Sequence, residues 1–499
     1  MPESRDAALR HERLFIAAIA LAATIRTLVV AAAFPFFTNV DEHRHVDMAI
    51  KYSHGALPHS TAAPYEPEFP RLLALYGTQE YVHPPDRPPA PPTWQLGDAV
   101  LERRIARNRR HFAHAPNLEI FQSPLYYAVA GSWLASVRAL GLDWGRSLYA
   151  VRALGAFALA ALVVLAYRLL RETHPDCAAV RLGAPALLAA APLDVFHYVT
   201  ADSLAPLTGG LAFVLALRCG LEPDRRPRDF ALAGVATAAA FLTKSTLIVM
   251  VGLLVGVSVR VARGEAPGRA RALRLAMLWA ALALPVGGWL LRTHALTGSL
   301  LGTASKVEGL GWGIRPLAEW AAHPLFAPAG AWAFLSELVP IFWRGEVVWH
   351  RAVLALPAAD ACYGVTTAIF GLAALTCWRR RAPAARAVEA ASLFCVVGAV
   401  AVLAVLSLRF AFSETTNPSA SHPYFVQGRL VSGVWLPFAV FYTRGVERLC
   451  SALPVAWRDR AAAALIALVA LVALGSELWL SLPAFGSPYN FFHLPGSDG

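Results

Sequence analysis

A short stretch rich in titratable groups, VDEHRH at residues 40–45, directly follows the first long apolar run of the chain. It sets Asp41 beside Glu42 and adds His43 and His45. A carboxylate can take a proton from an attacking hydroxyl, and two adjacent carboxylates tend to raise the pKa of one of them, which suits a base near neutral pH. Taken alone, the stretch fits a solvated loop equally well.

The same stretch raises the question of a metal site, because histidine and carboxylate side chains are ligands for zinc and manganese. His43 and His45 are spaced i and i+2 in a predicted loop, which is a weak signal. A divalent metal is therefore an alternative that the sequence does not favour, and no resident cofactor is predicted. The six cysteines show no CxxC spacing, which argues against a disulfide framework or a zinc ribbon.

Cations at the ends of other apolar runs could complement these carboxylates. Lys244 lies in FLTKST and Arg429 lies in VQGRL. Lys and Arg bind phosphate and can stabilise the charge of a phosphate leaving group. Each could instead reach lipid headgroups, and Asp202 in HYVTADSL could simply cap a helix. Further polar residues at such positions are Gln122, Arg292, His294, His422 and Gln427.

The elements that must position these residues are membrane helices. Of 499 residues, 57% are hydrophobic and only 15% are charged, and the mean hydropathy is +0.49. Soluble domains carry about 25% charged residues, so the composition predicts an all-α polytopic membrane protein. The net charge of +11 does not indicate nucleic-acid binding, because the arginines gather in short segments between apolar runs.

Apolar runs long enough for helices predict about 11 transmembrane helices, with a range of about 10–12. A further run, 123–137, is short for a hydrocarbon core of about 30 Å, and we predict an interfacial or re-entrant helix there. The alternative is that 123–137 spans and a neighbouring run does not. The first run, preceded by arginines, predicts an uncleaved helix rather than a signal peptide. The predicted spans are 14–35, 150–169, 182–199, 201–217, 230–243, 246–261, 275–292, 362–378, 388–409, 430–444 and 461–481.

Orientation follows from the short arginine-rich loops, which should be cytoplasmic. They place the N-terminus in the cytoplasm and make 36–149 and 293–361 two large extracytoplasmic segments with interfacial helices. Within the first segment, the Pro-rich 83–92 should be extended. The whole chain, 1–499, is then one transmembrane domain of the cytoplasmic (inner) membrane. The polar residues named above fall on its extracytoplasmic side.

Several short motifs, in this order along the chain, resemble the GT-C superfamily of integral-membrane glycosyltransferases. Its members include protein O-mannosyltransferases, aminoarabinose transferases and oligosaccharyltransferase catalytic subunits. Each motif is short, and the resemblance lies in the ordered set, which covers most of the chain. The motifs are NVDEHRH at 39–45, FQSPLYYAVAG at 121–131, YAVRALGAFA at 149–158, VTADSLAPL at 199–207, FLTKST at 241–246 and VQGRL at 426–430.

This resemblance implies a function for the polar residues. The donor would be a polyprenyl-phosphate-linked sugar, transferred with inversion at the extracytoplasmic face to a glycan, lipid or protein acceptor. Asp41 would be the base, and Glu42 would share that role or orient neighbouring cations. Lys244, Arg429 and Arg152 would bind the donor phosphate. The supporting polar residues would be Asp202, His422, Gln427 and Gln122.

The chain also departs from the superfamily's pattern. Gln122 stands where some members carry a cation, and the Arg-Leu-Pro-Ser-type motif survives only as Arg152-Ala153-Leu154-Gly155. No WWD-type signature is present, so glycosylation of peptide sequons is disfavoured.

Two other classes of protein remain as alternatives. A transporter or flippase for a lipid-linked glycan would place polar residues near the bilayer midplane, often in broken helices of repeated halves. The polar residues here lie at predicted helix ends and no repeat is evident, although Arg26 lies inside the first apolar run. A purely structural partner in an envelope complex has no positive support.

Overall fold

Helices make up nearly all of the regular structure, as the apolar runs predict. The computed structural model describes residues 2–38, 41–60, 63–78, 80, 86, 91–264, 268–376, 382–414 and 418–494. This part of the chain contains seventeen α-helices and four two-residue strands, so the protein is an all-α polytopic membrane protein. Part of the Pro-rich stretch 83–92, the last two residues of the predicted span 362–378 and the next three residues, 379–381, lie outside it.

The helices have the following bounds: α1 Pro2–Ala33, α2 Glu42–Ser53, α3 Phe69–Tyr76, α4 Asp98–Phe112, α5 Leu125–Ala139, α6 Trp144–Thr173, α7 Ala178–Ala189, α8 Ala205–Leu221, α9 Pro227–Thr243, α10 Ile248–Gly264, α11 Arg269–Thr297, α12 Thr303–Gly309, α13 Pro328–Arg344, α14 Pro357–Leu375, α15 Pro383–Arg409, α16 Trp435–Cys450 and α17 Val455–Phe485. Strands β1 Gly313–Ile314 and β4 Phe410–Ala411 pair antiparallel, as do β2 Val348–Trp349 and β3 Ala352–Val353.

Eight of the eleven predicted spans coincide with helices that are long and apolar enough to cross a membrane. The other three, predicted at 182–199, 230–243 and 430–444, correspond to α7, α9 and α16, which have 12, 17 and 16 residues. A helix that crosses the hydrocarbon core has about 17–25 residues, so α7 is too short for a full span while α9 and α16 lie near the lower limit. The predicted span 182–199 is wrong in its second half, because α7 ends at Ala189 and a 3₁₀ turn follows at Leu193–Val195.

The segment before α6 folds into a small helical layer with its own core. Helix α5 packs against α2, and Gly131 of α5 lies so close to Tyr52 that a β-carbon there would collide with it. Helix α5 has 15 residues and a length of about 22 Å, which is too short to cross about 30 Å of hydrocarbon. Its length therefore agrees with the interfacial prediction. The core of this layer includes Phe36, Val46, Phe69, Tyr126 and Leu148.

One end of the bundle gathers the functional candidates, and we call it the polar end. The C-terminal ends of α1 and α9 and the N-terminal ends of α6, α8 and α10 all lie there, because consecutive helices alternate in direction. The 3₁₀ segment Gly428–Val434 packs against α8, where Gly209 and Gly433 bring the two backbones into direct contact. Small residues permit such close approach between membrane helices. This packing places VQGRL beside the turn before α8.

Candidate active site

Asp41 lies at the polar end, at the residue that precedes helix α2. Its carboxylate accepts a hydrogen bond from Arg44 Nη1 at 2.9 Å. Arg429, more than 380 residues later in the chain, brings its Nη2 to 3.9 Å from the other carboxylate oxygen. The Asp41 side chain is 18% exposed, so a ligand can reach it. Asn39 and Val40 of the predicted motif lie outside the described residues.

Asp41 is held in its ionised form by its neighbours. Burial alone would raise the pKa of this carboxyl, but Lys306, Arg429 and Arg44 together hold it well below its usual value. The sequence predicts instead that the Asp41–Glu42 pair raises one pKa. The sequence does not say which of the two pKa values is raised, and the pKa of Asp41 is lowered because Lys306, Arg429 and Arg44 surround its carboxylate.

Lys306 and Glu119 belong to the same site, and the sequence motifs do not include them. Lys306 in α12 forms an ion pair with the buried Glu119, which precedes α5. Burial would raise the pKa of Glu119, but Lys306 lowers it below the usual value. Residue usage could have indicated Lys306. Of 44 lysines and arginines only three are lysines, at 51, 244 and 306, and all three form ion pairs with carboxylates.

Lys244, Asp202 and Arg429 meet as the sequence predicts. Lys244, at the end of α9, forms an ion pair with Asp202. Its Nζ also lies 3.5 Å from the backbone oxygen of Arg429. Next to it, Thr246 Oγ1 donates to the backbone oxygen of Leu430 at 2.8 Å. The FLTKST turn therefore holds the segment that carries Arg429, while the charge of Lys244 is matched by Asp202.

Glu42 points the opposite way from Asp41 and is fully buried. Its carboxylate accepts hydrogen bonds from Arg152 Nη2 at 2.8 Å and Arg152 Nε at 3.0 Å. It also accepts hydrogen bonds from the backbone N–H groups of Phe37 and Val199. The other guanidinium N–H groups of Arg152 donate to backbone oxygens at the end of the first helix. An Arg has five N–H donors, and all of them are engaged here.

The roles predicted for Arg152, as a phosphate ligand, and for Glu42, as a second base, need correction because the two side chains bind each other in the interior. Arg152 is 1% exposed and has no donor left for a phosphate. Glu42 has no route to an acceptor hydroxyl because it is 0% exposed, so it cannot share the role of base. Its predicted alternative role, orienting a neighbouring cation, fits its contact with Arg152. The pair joins α1, α2 and α6.

The histidines of the motif are neutral side chains in a crowded layer. His45 Nδ1 lies 2.6 Å from the Tyr127 hydroxyl, and burial lowers the pKa of His45 to about 4. Burial and the Arg44 charge likewise lower the pKa of His43 to about 4. Among the residues that the structure describes, no three His, Cys, Asp or Glu side chains converge on a point that could hold a metal ion.

A small pocket lies between Lys306 and Gln122, and we call it the Lys306 pocket. Its volume is about 60 Å³, about twice the share of one water in the liquid, so it holds a group of a few heavy atoms. Ser245 and Thr303 add hydroxyl groups to its wall, and Trp289 of α11 adds an aromatic one. Helix α11 is largely uncovered by protein, because only 11% of its most apolar stretch is buried. The pocket thus lies beside a surface that faces lipid.

Gln427 and His422 do not reach the Lys306 pocket. They line a separate cavity of about 360 Å³, which we call the Gln427 cavity. His422 Nε2 lies 3.0 Å from Glu337 at the partly exposed side of this cavity. The structure therefore divides the sequence-predicted supporting residues into two groups, with Gln122 in one and His422 and Gln427 in the other.

The remaining candidates have structural partners. Arg26, unexplained by the sequence, lies 3.8 Å from Glu477 of α17 and also donates to the backbone oxygen of Ala191. Arg292 donates to the backbone oxygen of Pro58, and its guanidinium lies 5.3 Å from the ring of Trp289. His294 is exposed. None of these three joins the group around Asp41.

Comparison with known proteins identifies a family but no activity. The model of a family described as "Predicted membrane protein (DUF2142)" matches residues 25–434. No curated protein matches the chain. One similar solved structure is the archaeal oligosaccharyltransferase AglB from Archaeoglobus fulgidus, in complex with an inhibitory peptide and a dolichol-phosphate, at 11% identity and a TM-score of 0.38. The similarity covers 93% of this chain and 56% of that one, and is too weak to assign a function.

Proposed function

We propose that this chain, which belongs to the DUF2142 family of predicted membrane proteins, is a glycosyltransferase that uses a polyprenyl-phosphate-linked sugar. The observation that carries the proposal is the partly exposed carboxylate of Asp41 among Lys306, Arg429 and Arg44, next to a pocket beside lipid-facing α11. The ordered motifs that resemble the GT-C superfamily support the same reading. The arginine-rich loops support an extracytoplasmic site in the cytoplasmic membrane.

The donor's phosphate group suits the Lys306 pocket. Lys306, Gln122, Ser245 and Thr303 offer N–H and O–H donors around this space. A polyprenyl tail attached to that phosphate would continue along α11, whose apolar surface is exposed to lipid. Charged donors aimed at a departing phosphate stabilise the transition state because the charge develops there.

Asp41 is the residue best suited to accept the proton of the acceptor hydroxyl. The acceptor oxygen forms a bond to the anomeric carbon as the bond from that carbon to the phosphate oxygen breaks. The proton goes to Asp41, and polyprenyl phosphate leaves. One displacement from the opposite face inverts the anomeric configuration. A bound phosphate offsets the charges of Lys306 and Arg429, so the pKa of Asp41 should rise when the donor binds, which makes the carboxylate a better base.

Lys306 would contact the phosphate, Arg429 would add positive charge beside Asp41, and Lys244 has a different role. Because its charge is matched by Asp202 and it contacts the Arg429 backbone, we assign Lys244 to positioning Arg429. Glu42 and Arg152 likewise act by fixing the start of α2, on which Asp41 sits. No metal ion is required by this scheme.

The test supplies membranes that contain the full-length protein with a labelled polyprenyl-phosphate sugar. We expect sugar transfer or release of polyprenyl phosphate, and a loss of about 10²–10⁴-fold in Asp41→Asn at unchanged expression. Asp98→Asn, which changes an exposed aspartate at the start of α4, is the matched control and should retain activity. Equal activity in Asp41→Asn and the wild type would refute the assignment of the base.

The same membranes also test the flippase alternative. Movement of intact donor across the bilayer, with no cleavage of the sugar–phosphate bond, would replace the glycosyltransferase proposal. The one charge inside α1 gives that alternative no support, because Arg26 is paired with Glu477 and a backbone oxygen.

A further inference from the structure

The Gln427 cavity has a chemistry unlike that of the Lys306 pocket. Its wall carries three carboxylates, from Glu337, Glu346 and Asp360, and one guanidinium, from Arg344. Arg344 is already engaged, with Nε at 2.7 Å from Asp360 and Nη1 donating to two backbone oxygens. The excess of negative charge disfavours a phosphate or any other anion.

The cavity also offers unused hydrogen-bonding groups. Gln427 is 8% exposed, and its Oε1 accepts no hydrogen bond from the described part of the chain. A buried amide without a partner is costly, so Gln427 has hydrogen-bonding capacity that the described residues do not use. The Glu346 carboxylate has no ion-pair partner among the described residues, although its backbone N–H donates to Asp194. Carboxylates and an amide together accept hydrogen bonds from hydroxyl groups and leave no strong site for anions.

Apolar surface completes the wall. Pro340, Ile341 and Val426 line the same cavity. A volume of about 360 Å³ falls at the lower end of the range of about 300–1,000 Å³ found for small-molecule sites. Apolar patches beside hydroxyl-accepting groups match a saccharide, which presents C–H faces and O–H edges.

The wall that carries Glu346 is rigid. Gly345 follows α13 with a φ of 77°, a left-handed conformation that suits glycine. A β-carbon at Gly345 would collide with the carboxylate of Asp194, which in turn accepts the Glu346 N–H at 2.9 Å. Gly428 lies against the backbone of α13 at Phe342, so the segment that carries Gln427 also packs on this helix. The cavity is thus preformed between two anchored segments.

The cavity adjoins the Asp41 site through one short segment. Gln427 lines the cavity, and Arg429, two residues later, faces Asp41. The charge of Glu346 also acts on Arg429. A ligand in the cavity therefore lies beside the short segment that carries the arginine facing Asp41.

We propose that the Gln427 cavity binds the acceptor, and that the acceptor is a neutral saccharide whose hydroxyl is presented toward Asp41. This inference rests on the proposed glycosyltransferase function. It selects a glycan from the three acceptor classes that the motifs leave open. It also separates the two substrates by charge, because the anionic donor binds in the Lys306 pocket and the neutral acceptor binds in the Gln427 cavity.

The experiment uses detergent-solubilised full-length protein with labelled donor at a fixed, saturating concentration. The varied acceptors are the methyl glycoside of a neutral disaccharide and the same disaccharide bearing a phosphate group. We expect Gln427→Ala and Glu346→Gln each to raise the KM for the neutral disaccharide about five- to tenfold, with kcat and the donor KM nearly retained. Glu319→Gln, at an exposed carboxylate of the same large segment, is the matched control.

A bulky substitution at an exposed position tests the cavity with a variant that should still fold. Ala355 lines the cavity from an exposed position, so Ala355→Trp should fold and should block the acceptor. A change in the donor KM in place of the acceptor KM, no change in either, or preference for the phosphorylated disaccharide would overturn the inference.

Direct binding separates this inference from the proposed function. If the wild type neither transfers sugar nor releases polyprenyl phosphate, the glycosyltransferase proposal fails, and saturation-transfer NMR with the neutral disaccharide still reports on the cavity. Signal that Ala355→Trp removes and Glu319→Gln retains would support saccharide binding. Signal unaffected by Ala355→Trp, or no signal from the wild type, would refute it.

Discussion

Asp41 and Glu42 are neighbours in the chain, yet their carboxylates occupy opposite environments. Glu42 is fully buried and closed off by Arg152 and backbone N–H groups, whereas Asp41 is partly exposed and faces cations from three separate segments. Both carboxylates are matched by positive charge. The two carboxylates differ in whether a substrate can reach them. The buried Glu42–Arg152 pair can only stabilise the fold, whereas the partly exposed Asp41 can exchange its protein partners for a substrate. Charge density in a sequence therefore does not distinguish the two.

The largest expected effect comes from breaking the closed pair. Arg152→Met removes the only cation that contacts Glu42 among the described residues, and it removes a hydrogen-bond donor from the backbone oxygens of Ala31 and Phe34 at the end of α1. An uncompensated buried charge costs about 3–5 kcal/mol, so we expect a much lower melting temperature or loss of folded protein. Fluorescence-detected size-exclusion chromatography after heating measures this.

The control for that change is on the same helix. Arg146→Met removes an arginine whose side chain is 35% exposed and which pairs with Asp143, so it should cost less than about 1 kcal/mol. Combining Arg152→Met with Glu42→Gln should recover part of the stability. A wild-type melting temperature for Arg152→Met alone would show that the pair does not hold α1, α2 and α6 together.

The sequence contains a pattern, separate from the motifs, that distinguishes the buried Glu42 from the partly exposed Asp41. Glu42, Val46 and Ile50 are spaced i, i+4 and i+8 along α2, and all three are fully buried. A helix starting at Glu42 therefore turns that residue inward with the apolar face and leaves Asp41 outside it. Locating this helix boundary from the sequence alone is difficult, because the motif also fits a loop.

Other parts of the site were predictable to different degrees. Apolar length and composition predicted the all-α fold, and chain order with alternating helix direction brought Lys244, Asp202 and Arg429 together. Lys306 and Glu119 could not be placed, since each lies in a long segment between predicted membrane spans, and the folding of these segments depends on tertiary contacts. The scarcity of lysine would have singled out Lys306, but not its partner.

The next largest effect tests the open site. Lys306→Met combined with Glu119→Gln removes a cation facing Asp41 without leaving a buried carboxylate unpaired. We expect transfer of sugar to fall about 10²–10³-fold while the melting temperature stays near that of Glu119→Gln, because a charge that stabilises the leaving group is lost. Initial rates with labelled donor measure this. Full activity in the double variant would exclude Lys306 from phosphate binding.

A pH profile sharpens the same comparison. Because the pKa of Asp41 is lowered, the carboxylate is ionised, and stabilises the fold, at all pH values above its ordinary pKa of about 3.8; this contribution is lost as the pH falls through the lowered value. Donor phosphate offsets Lys306 and Arg429, so the acid limb of kcat should lie at higher pH than the acid limb of kcat/KM.

The assay for that prediction covers about pH 4 to pH 8 with saturating and limiting donor, and the acid limb of kcat/KM, which reports the lowered pKa of the free enzyme, should lie below this range. Burial lowers the pKa of His45 to about 4, so this side chain titrates at the lower end of the range. His45→Gln is therefore measured in parallel, and the separation of the two limbs should persist in it. If kcat, like kcat/KM, shows no acid limb within this range, the donor phosphate does not bind near Asp41.

The smallest expected effect comes from Arg44, the cation that lies closest to Asp41 in the chain. Its hydrogen bond to Asp41 is 2.9 Å long, but the two side chains are 22% and 18% exposed, so the pair contributes only about 0.2–1 kcal/mol. Lys306 and Arg429 act on the Asp41 carboxylate more strongly than Arg44 does. Arg44→Met should thus lower sugar transfer only a few-fold, as measured by initial rates. A loss as large as that of the Lys306 variant would make Arg44 a phosphate ligand and move the donor to the opposite side of Asp41.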